Sequence, residues 1–224
     1  GEAYDPDHMA RITEEAAGIA RHVPDWKSLS LEFPVLTALP DYARRSTRLL
    51  EIPRGSMIFR RGDRPREIFF VLSGEVQLVR RSRSGGEIVL QRTRRGFVAE
   101  ASLDQPAYHC DAVAAETSQL LAIRQTAFAS ALAAAEFRDA WVAHLACELR
   151  KARAHAERLS LKTARERIVH FIETEGKAGA VELKHSRKDW AAELGLTHEA
   201  LYRTLARMEK DGELTVARSR LILR

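Results

Sequence analysis

The stretch RGSMIFRRGDRPREIFFVLSGEVQLV, Arg54–Val79, decides how the N-terminal part of this chain folds. It contains apolar runs of strand length that are rich in β-branched and aromatic residues, and glycines at turn positions separate them. Downstream, EIVLQRT and SQLLAI continue the same pattern as far as Ile123. Short strands at roughly 8–12-residue spacing predict an all-β barrel or jelly roll from about Ile52 to Ile123.

The segment before these strands has a different character. GEAYDPDHM is expected to join a remnant of cloning, residues 1–8, to a natural start at Met9, without the pattern of a secretory signal. From Ala10 to Leu50 a weak helical periodicity is interrupted by prolines. Residues 9–135 are therefore predicted to form N-terminal helices followed by the β-rich domain.

The composition narrows the class of protein. The chain has 224 residues, 45% of them hydrophobic and 30% charged, which is ordinary for a globular protein. No apolar run approaches the roughly 20 residues that span a bilayer, so no membrane partner is expected. Two cysteines, Cys110 and Cys147, cannot build a disulfide framework, and they fit a reducing cytoplasm. The net charge of +5 is compatible with an anionic partner.

Residues 136–160 carry apolar residues at alternating spacings of three and four. This is the pattern of heptad a and d positions, and polar residues flank it. It predicts a long helix that pairs with its copy in a homodimer. The alternative is a single amphipathic helix packed against its own β domain. The predicted interface residues are Val142, Leu145, Leu149, Ala152, Ala156 and Leu159.

Residues 161–224 have the layout of a helix-turn-helix. Thr163 and Glu166 form a capping-box signature that opens one helix, and Ser186 opens a short second helix. Gly195 makes the turn, and Thr197 caps the longer helix that follows. The tail ELTVARSRLILR predicts a two-stranded hairpin with its tip at residues 217–219.

The last long helix has an inner and an outer face. Leu201, Leu205 and Met208 face inward by their spacing. Arginine can donate two hydrogen bonds to guanine in the major groove, a carboxylate can accept from cytosine, and basic residues bind phosphates. A solvated charged face on a helical subdomain is the alternative. The predicted DNA-binding residues are Ser186, Thr197, His198, Glu199, Tyr202, Arg203, Arg207 and Lys210.

Three pieces of the chain resemble, in the same order, the CRP/FNR family of bacterial transcription regulators. They are the strand pattern of Arg54–Val79, the long helix, and SRKDWAAELGLTHEALYRTLARMEKDGEL. The resemblance implies an α+β fold of two domains: a cyclic-nucleotide-binding-like β barrel or jelly roll, a dimerisation helix and a winged helix-turn-helix. It also aligns Glu199 and Arg203 with the glutamate and arginine of the family's recognition-helix motif. His198 departs from that motif, because an arginine is frequent at its position.

The function that this resemblance implies is allosteric control of transcription. A small-molecule effector in the β domain would shift the long helix pair and reorient two recognition helices on double-stranded DNA. Two-fold symmetry predicts an inverted-repeat operator with half-sites about one helical turn apart. RNA polymerase would be a further partner. No enzymatic activity is expected, since no catalytic constellation is visible.

The stretch FVAEASLDQPAYHCDAVA, Phe97–Ala114, resembles the family's phosphate-binding cassette. In cyclic-nucleotide binders a glycine-glutamate pair opens it, and an arginine and a hydroxyl residue follow. Here Glu100 keeps the acceptor for the ribose hydroxyl, but His109 stands in place of the arginine that neutralises the phosphate. The predicted pocket residues are Ala99, Glu100, Ala101, Ser102, His109 and Cys110.

This substitution argues against tight binding of cyclic AMP, because a desolvated phosphate would lack its cation. A cation from Arg92, Arg94 or Arg95 is the exception considered. Haem coordination by His109 or Cys110, a thiol switch at Cys110 and simple packing of both residues stay open. No metal site is expected from two adjacent ligands, and no iron–sulfur cluster without an N-terminal cysteine cluster.

Overall fold

The computed structural model of the chain describes residues 24–81, 87–183 and 186–224. The expected cloning remnant, residues 1–8, and the first part of the predicted helical segment lie outside the described residues. The chain divides into two compact units, and the second of them is Ala143–Arg224. None of the described helices has the length and apolar character needed to cross a membrane.

The first unit contains short helices around two β-sheets. Its helices are α1 (Trp26–Glu32), α2 (Pro34–Thr37), α3 (Asp41–Arg45) and α4 (Gln125–Ala131). Its strands are β1 (Arg48–Ile52), β2 (Met57–Phe59), β3 (Glu67–Ser73), β4 (Val76–Arg81), β5 (Glu87–Thr93), β6 (Gly96–Val98), β7 (Asp111–Ala114) and β8 (Ser118–Arg124).

These strands form two four-stranded antiparallel sheets, ordered β1-β8-β3-β6 and β2-β7-β4-β5. One hydrophobic core takes side chains from both sheets, including Phe69 and Leu120 from the first and Leu78 and Ala112 from the second. Burying the inner faces of two sheets against each other is the sandwich form of an all-β domain. The predicted jelly roll is confirmed in this form, as two stacked sheets.

The β domain begins at Arg48, four residues before the predicted start at about Ile52. The first strand begins at Arg48 and pairs with β8, Leu50 opposite Leu120. Local periodicity could not show this, because the strand is specified by a partner some 70 residues away. Local periodicity also did not predict the short strands β6 and β7, at either end of the cassette stretch, because distant partner strands specify them too.

A second core lies on the other face of the first sheet. It joins α1–α4 to the start of the long helix α5 (Ala135–Ser160). Phe97, Phe128 and Trp141 meet edge to face, with Phe97 and Trp141 ring centroids 4.9 Å apart. Such pairs stabilise beyond the area that they bury. Phe97, the first residue of the cassette stretch, is thereby packed against the start of α5.

The second unit contains most of α5, then α6 (Ala164–Glu175), α7 (Arg187–Glu193) and α8 (His198–Lys210). A three-stranded antiparallel sheet completes it, with strands β9 (Ala180–Glu182), β10 (Leu214–Ala217) and β11 (Arg220–Leu223). The strand order in this sheet is β10-β11-β9. One core of buried residues from the helices and the sheet holds the unit together.

Candidate functional site

The helices α7 and α8 form the helix-turn-helix that the glycine spacing predicted. The Ser186 hydroxyl accepts from the Asp189 amide and caps α7, and the Thr197 hydroxyl accepts from the Ala200 amide and caps α8. Gly195, in the turn, has φ +63°. A Cβ there would come within 2.9 Å of Leu159 Cδ2, so only glycine fits without rearrangement.

The two faces of α8 differ in burial, as the spacing of its apolar residues predicts. Leu201, Leu205 and Met208 are buried in the core of the second unit. The outer face is exposed and carries both signs of charge. Its exposed members are Thr197, His198, Glu199, Tyr202, Arg203, Arg207 and Lys210. Ser186 is also exposed, at the start of α7. The predicted DNA-binding residues are therefore all accessible.

An aromatic and cationic stack pre-orders part of this surface. The His198 and Tyr202 ring centroids are 4.4 Å apart. The Arg187 guanidinium carbon lies 5.4 Å from the centroid of the Tyr202 ring, a cation–π distance. Arg187 also donates to the Arg218 carbonyl at the hairpin tip, at 3.4 Å. Arg187 was missed at the sequence level, because its partners are 15 and 31 residues away.

Glu199 lies in the first turn of α8 with its carboxylate charged. Hydrogen bonds from its own amide and from the Thr197 hydroxyl lower the pKa of Glu199. A carboxylate at a helix N-terminus is also favoured by the helix dipole. The side chain is thus a pure acceptor, which is what recognition of a cytosine amino group requires.

Two arginines connect the end of α5 with α6 and with the turn that follows α7. Arg158 is buried, donates to the Thr174 hydroxyl at 3.0 Å and pairs with Glu175 at 3.2 Å. Arg167 donates to the Leu194 and Gly195 carbonyls, each at 3.1 Å, and to the Leu159 carbonyl at 3.2 Å. It therefore satisfies orphan carbonyls at the ends of α5 and α7 together. The sequence signalled neither role.

The predicted dimer stripe is exposed along α5. Val142, Leu145, Leu149 and Leu159 have exposed fractions between 39% and 58%. Ala152 and Ala156 are exposed between them. These six positions are therefore accessible in the part of the chain that the structure describes. Cys147 is half-buried and off the stripe.

The cassette loop runs from β6 in one sheet to β7 in the other. Ala99 has φ 77°, in the left-handed region that favours glycine. This supports its alignment with the family's glycine. A short 3-10 helix follows, Glu100–Ser102. The Ser102 Oγ lies 3.3 Å from His109 Nδ1, across the loop.

The remaining predicted pocket residues fall in different environments. Ala99, Ser102 and Cys110 are buried, whereas Ala101 and His109 are exposed. Burial raises the pKa of the Cys110 thiol, which favours the protonated, unreactive form. Packing thus describes Cys110 better than a thiol switch does. His109 keeps its side chain at the surface of the loop.

The arginines of β5 and the following turn have carboxylate partners. Glu75, only 3% exposed, pairs with Arg92 at 2.9 Å and with Arg94 at 2.6 Å. Burial alone would raise the pKa of Glu75, but hydrogen bonds from Gln77 and Arg94 and the Arg94 charge hold it below its ordinary value. Arg95 pairs with Glu32. These pairs do not favour any of the three as the cation that the cassette lacks.

No metal centre is assembled in the part of the chain that the structure describes. There, no group of three or more histidine, cysteine or acidic side chains is arranged to hold an ion.

A model of a known family matches part of the first unit. The family described as cyclic nucleotide-binding domain matches residues 49–135. A curated relative, the Pycsar effector protein XpPycTIR of Xanthomonas perforans, is 32% identical over 127 residues. That match covers 55% of this chain and 39% of the relative. The chain therefore spans well under half the length of the curated relative.

Solved structures share the fold of most of the chain. FixK2 from Bradyrhizobium japonicum has a TM-score of 0.59 and 24% identity, covering 80% of this chain and 92% of FixK2. The c-di-GMP responsive global regulator CLP of Xanthomonas campestris has 0.54 and 21%, covering 80% and 94%. A CRP-family transcriptional regulator of Thermus thermophilus has 0.53 and 21%, covering 77% and 90%. At these identities the likeness establishes the fold.

Proposed function

Since the chain joins a cyclic nucleotide-binding domain to a helix-turn-helix, in the fold of CRP/FNR-type regulators, we propose that it is a sequence-specific DNA-binding regulator of transcription. It acts as a homodimer on an inverted repeat, in the bacterial cytoplasm where its DNA lies. Its role is binding rather than catalysis.

The outer face of α8 is the observation that carries this proposal. Thr197 caps the helix, the Tyr202 ring is stacked, and Glu199 is charged, so the face is ordered before any partner arrives. Arg203 is exposed one turn from Glu199. A bidentate donor and a pure acceptor on one helix face can read different base pairs in the major groove.

The dimer follows from the stripe on α5. Exposed leucine and valine side chains cost free energy in water, and two copies of α5 would bury them against each other. Alanines at two stripe positions permit close approach of the helices. A two-fold pair of α8 helices then matches half-sites roughly 34–36 Å apart.

The effector acts on the jelly-roll domain. With His109 in place of arginine, a deeply buried cyclic phosphate has no cation inside the cassette, so an effector other than tightly held cyclic AMP is expected. Phe97, the first residue of the cassette stretch, packs on Trp141 of α5, which provides a route from the cassette to the dimer helix.

Selection from random DNA tests the proposal. The full chain is bound to a duplex library at about 150 mM salt, and retained sequences are read after several rounds. An enriched inverted repeat, bound by two chains per duplex, is the expected result. Absence of any enriched sequence, with the chain folded and dimeric, would contradict it.

A second candidate function is a ligand sensor that acts through protein partners. The match to a Pycsar effector protein favours it, because that relative is named an effector protein and not a regulator of transcription. The same selection separates the two functions. A sensor of this kind would bind duplexes weakly and without preference, with the strong salt dependence of purely electrostatic contacts.

A further inference from the structure

An exposed aromatic ring lies on the outer face of α8. Among the described residues from Leu161 to Arg224, Tyr202 is the only large apolar side chain that is exposed, with 43% of its surface accessible. It follows Glu199 by three residues, so the two are neighbours on the helix surface. An apolar ring in water gains free energy when a partner covers it. The outer face of α8 therefore offers DNA an apolar contact as well as charged ones.

Two neighbouring side chains restrict the position of this ring. The His198 ring lies against it, with 4.4 Å between centroids and 50° between planes. The Arg187 guanidinium carbon lies 5.4 Å from the centroid of the Tyr202 ring, within cation–π reach. A side chain that is ordered before its partner arrives loses less conformational entropy on binding. The ring is thus prepared for contact with a ligand.

Arg187 is anchored in turn at the tip of the hairpin between β10 and β11. Its Nη2 donates to the Arg218 carbonyl at 3.4 Å. The next carbonyl, that of Ser219, accepts from the Leu183 amide at 2.8 Å, which ties the tip to the end of β9. Arg187 therefore joins the Tyr202 ring to a part of the sheet that is itself held in place.

His198 changes the chemistry that this face offers to a base pair. An arginine, frequent at this position in the CRP/FNR family, presents a planar fork of donors that matches the two acceptors of guanine. A neutral imidazole has only one N–H donor, and the His198 ring lies against Tyr202. The position therefore presents an aromatic surface in place of a fork. In the major groove, the apolar feature of the base edges is the C5-methyl group of thymine.

We propose that the Tyr202 ring, held by His198 and Arg187, contacts the C5-methyl group of a thymine, so that each half-site of the operator carries an A·T pair at this place. Arg187 is a positioning residue that acts through the ring. This inference rests on the proposed function, sequence-specific recognition of DNA, and adds to it the base pair that the aromatic contact selects.

Replacement of thymine by deoxyuridine in the selected operator tests the contact, because the two bases differ only in the methyl group. Each thymine is replaced in turn, symmetrically in both half-sites, and the wild-type full chain is titrated with each duplex at about 150 mM salt. One symmetric replacement should weaken binding about 15-fold, since burial of one methyl group contributes about fourfold in each half-site. The other replacements should have little effect.

Variants separate the roles of the side chains. Tyr202→Phe should keep the sensitivity to deoxyuridine, because it keeps the ring, whereas Tyr202→Ala should bind the two duplexes equally. Arg187→Gln should lose most of the sensitivity while its affinity for the deoxyuridine operator stays that of the wild type. Tyr42→Ala is the matched control, since Tyr42 is a tyrosine of α3 that is 44% exposed. It should bind both duplexes as the wild type does.

Two outcomes would overturn the inference. One is that an operator is selected but no replacement by deoxyuridine weakens the wild type more than it weakens Tyr202→Ala. The other is that Arg187→Gln weakens both duplexes equally and lowers the salt dependence, by a slope of about 1 for each lost phosphate contact, which would make Arg187 a phosphate ligand. In both cases the proposed function stands, because an operator is still recognised. Failure to select any operator would instead contradict the proposed function, and the inference with it.

Discussion

The helix-turn-helix and the cassette loop differ in how their candidate residues are placed. On α8, the seven predicted positions from Thr197 to Lys210 are all exposed on one short stretch of chain. In the cassette, some predicted residues are buried in the core and others are exposed. The Arg80 guanidinium, from β4, donates to the His109 carbonyl of the same loop. A helix presents a surface through its own periodicity, whereas a loop site is assembled by strand pairing.

The α5 stripe is the first place to test, because the proposed DNA recognition and effector control both require the proposed dimer. Leu149→Arg places a charge where two helices would pack, so the chain should become monomeric. Operator affinity should then fall by about 100-fold or more, since one half-site is lost. Light scattering and a gel shift measure both effects.

Leu31→Arg is the matched control for that substitution. Leu31 is an exposed leucine, 84% accessible, on α1 and outside the stripe. It should leave both the mass and the operator affinity unchanged. If Leu149→Arg stays dimeric and binds normally, the stripe is not the dimer interface.

Arg203→Ala tests the recognition helix at a single position. The expected loss is about 1–3 kcal/mol of binding free energy, with relaxed preference at one base pair of each half-site. Arg45→Ala, an exposed arginine on α3, serves as the control. A uniform loss across all sequences would mean that Arg203 contacts phosphate instead of a base.

Glu75→Gln tests whether the charge of Glu75 holds Arg92 and Arg94 in their ion pairs. Removing the buried charge should lower the free energy of unfolding at pH 7 by about 2 kcal/mol, less than for a fully buried pair because both arginines touch water. The folded pKa of Glu75 is lowered, so its contribution is present above the unfolded pKa and is lost as pH falls through the folded value. Denaturant titration should show wild type and variant converging in acid.

A constant difference between the two proteins at every pH would contradict that assignment. It would mean that packing or hydrogen bonding, and not the charge of Glu75, holds the two arginines.

Cys110 gives the smallest expected effect. Because burial raises its pKa, a thiol reagent such as iodoacetamide should modify it slowly near neutral pH in the folded chain and faster as pH rises. Mass spectrometry of digested protein measures the rate against the half-buried Cys147. Rapid modification of Cys110 at neutral pH would instead support the hypothesis that Cys110 is a thiol switch.

Sequence predicted the parts of the molecule that depend on local pattern. The caps at Thr163 and Ser186, the turn at Gly195 and the inward face of α8 follow from neighbours in the chain. The start of β1 at Arg48, the approach of Arg80 to His109 and the contacts of Arg167 all join residues that are distant in sequence. No periodicity records such contacts, since strand register and tertiary packing create them.

The central claim is that the outer face of α8 reads DNA sequence. It is tested most directly by equilibrium titration of the wild-type dimer with its selected operator and with a scrambled duplex, both at about 150 mM salt. We predict binding to the operator at least about 10³-fold tighter than to the scrambled duplex. Equal affinity for the two duplexes would contradict it.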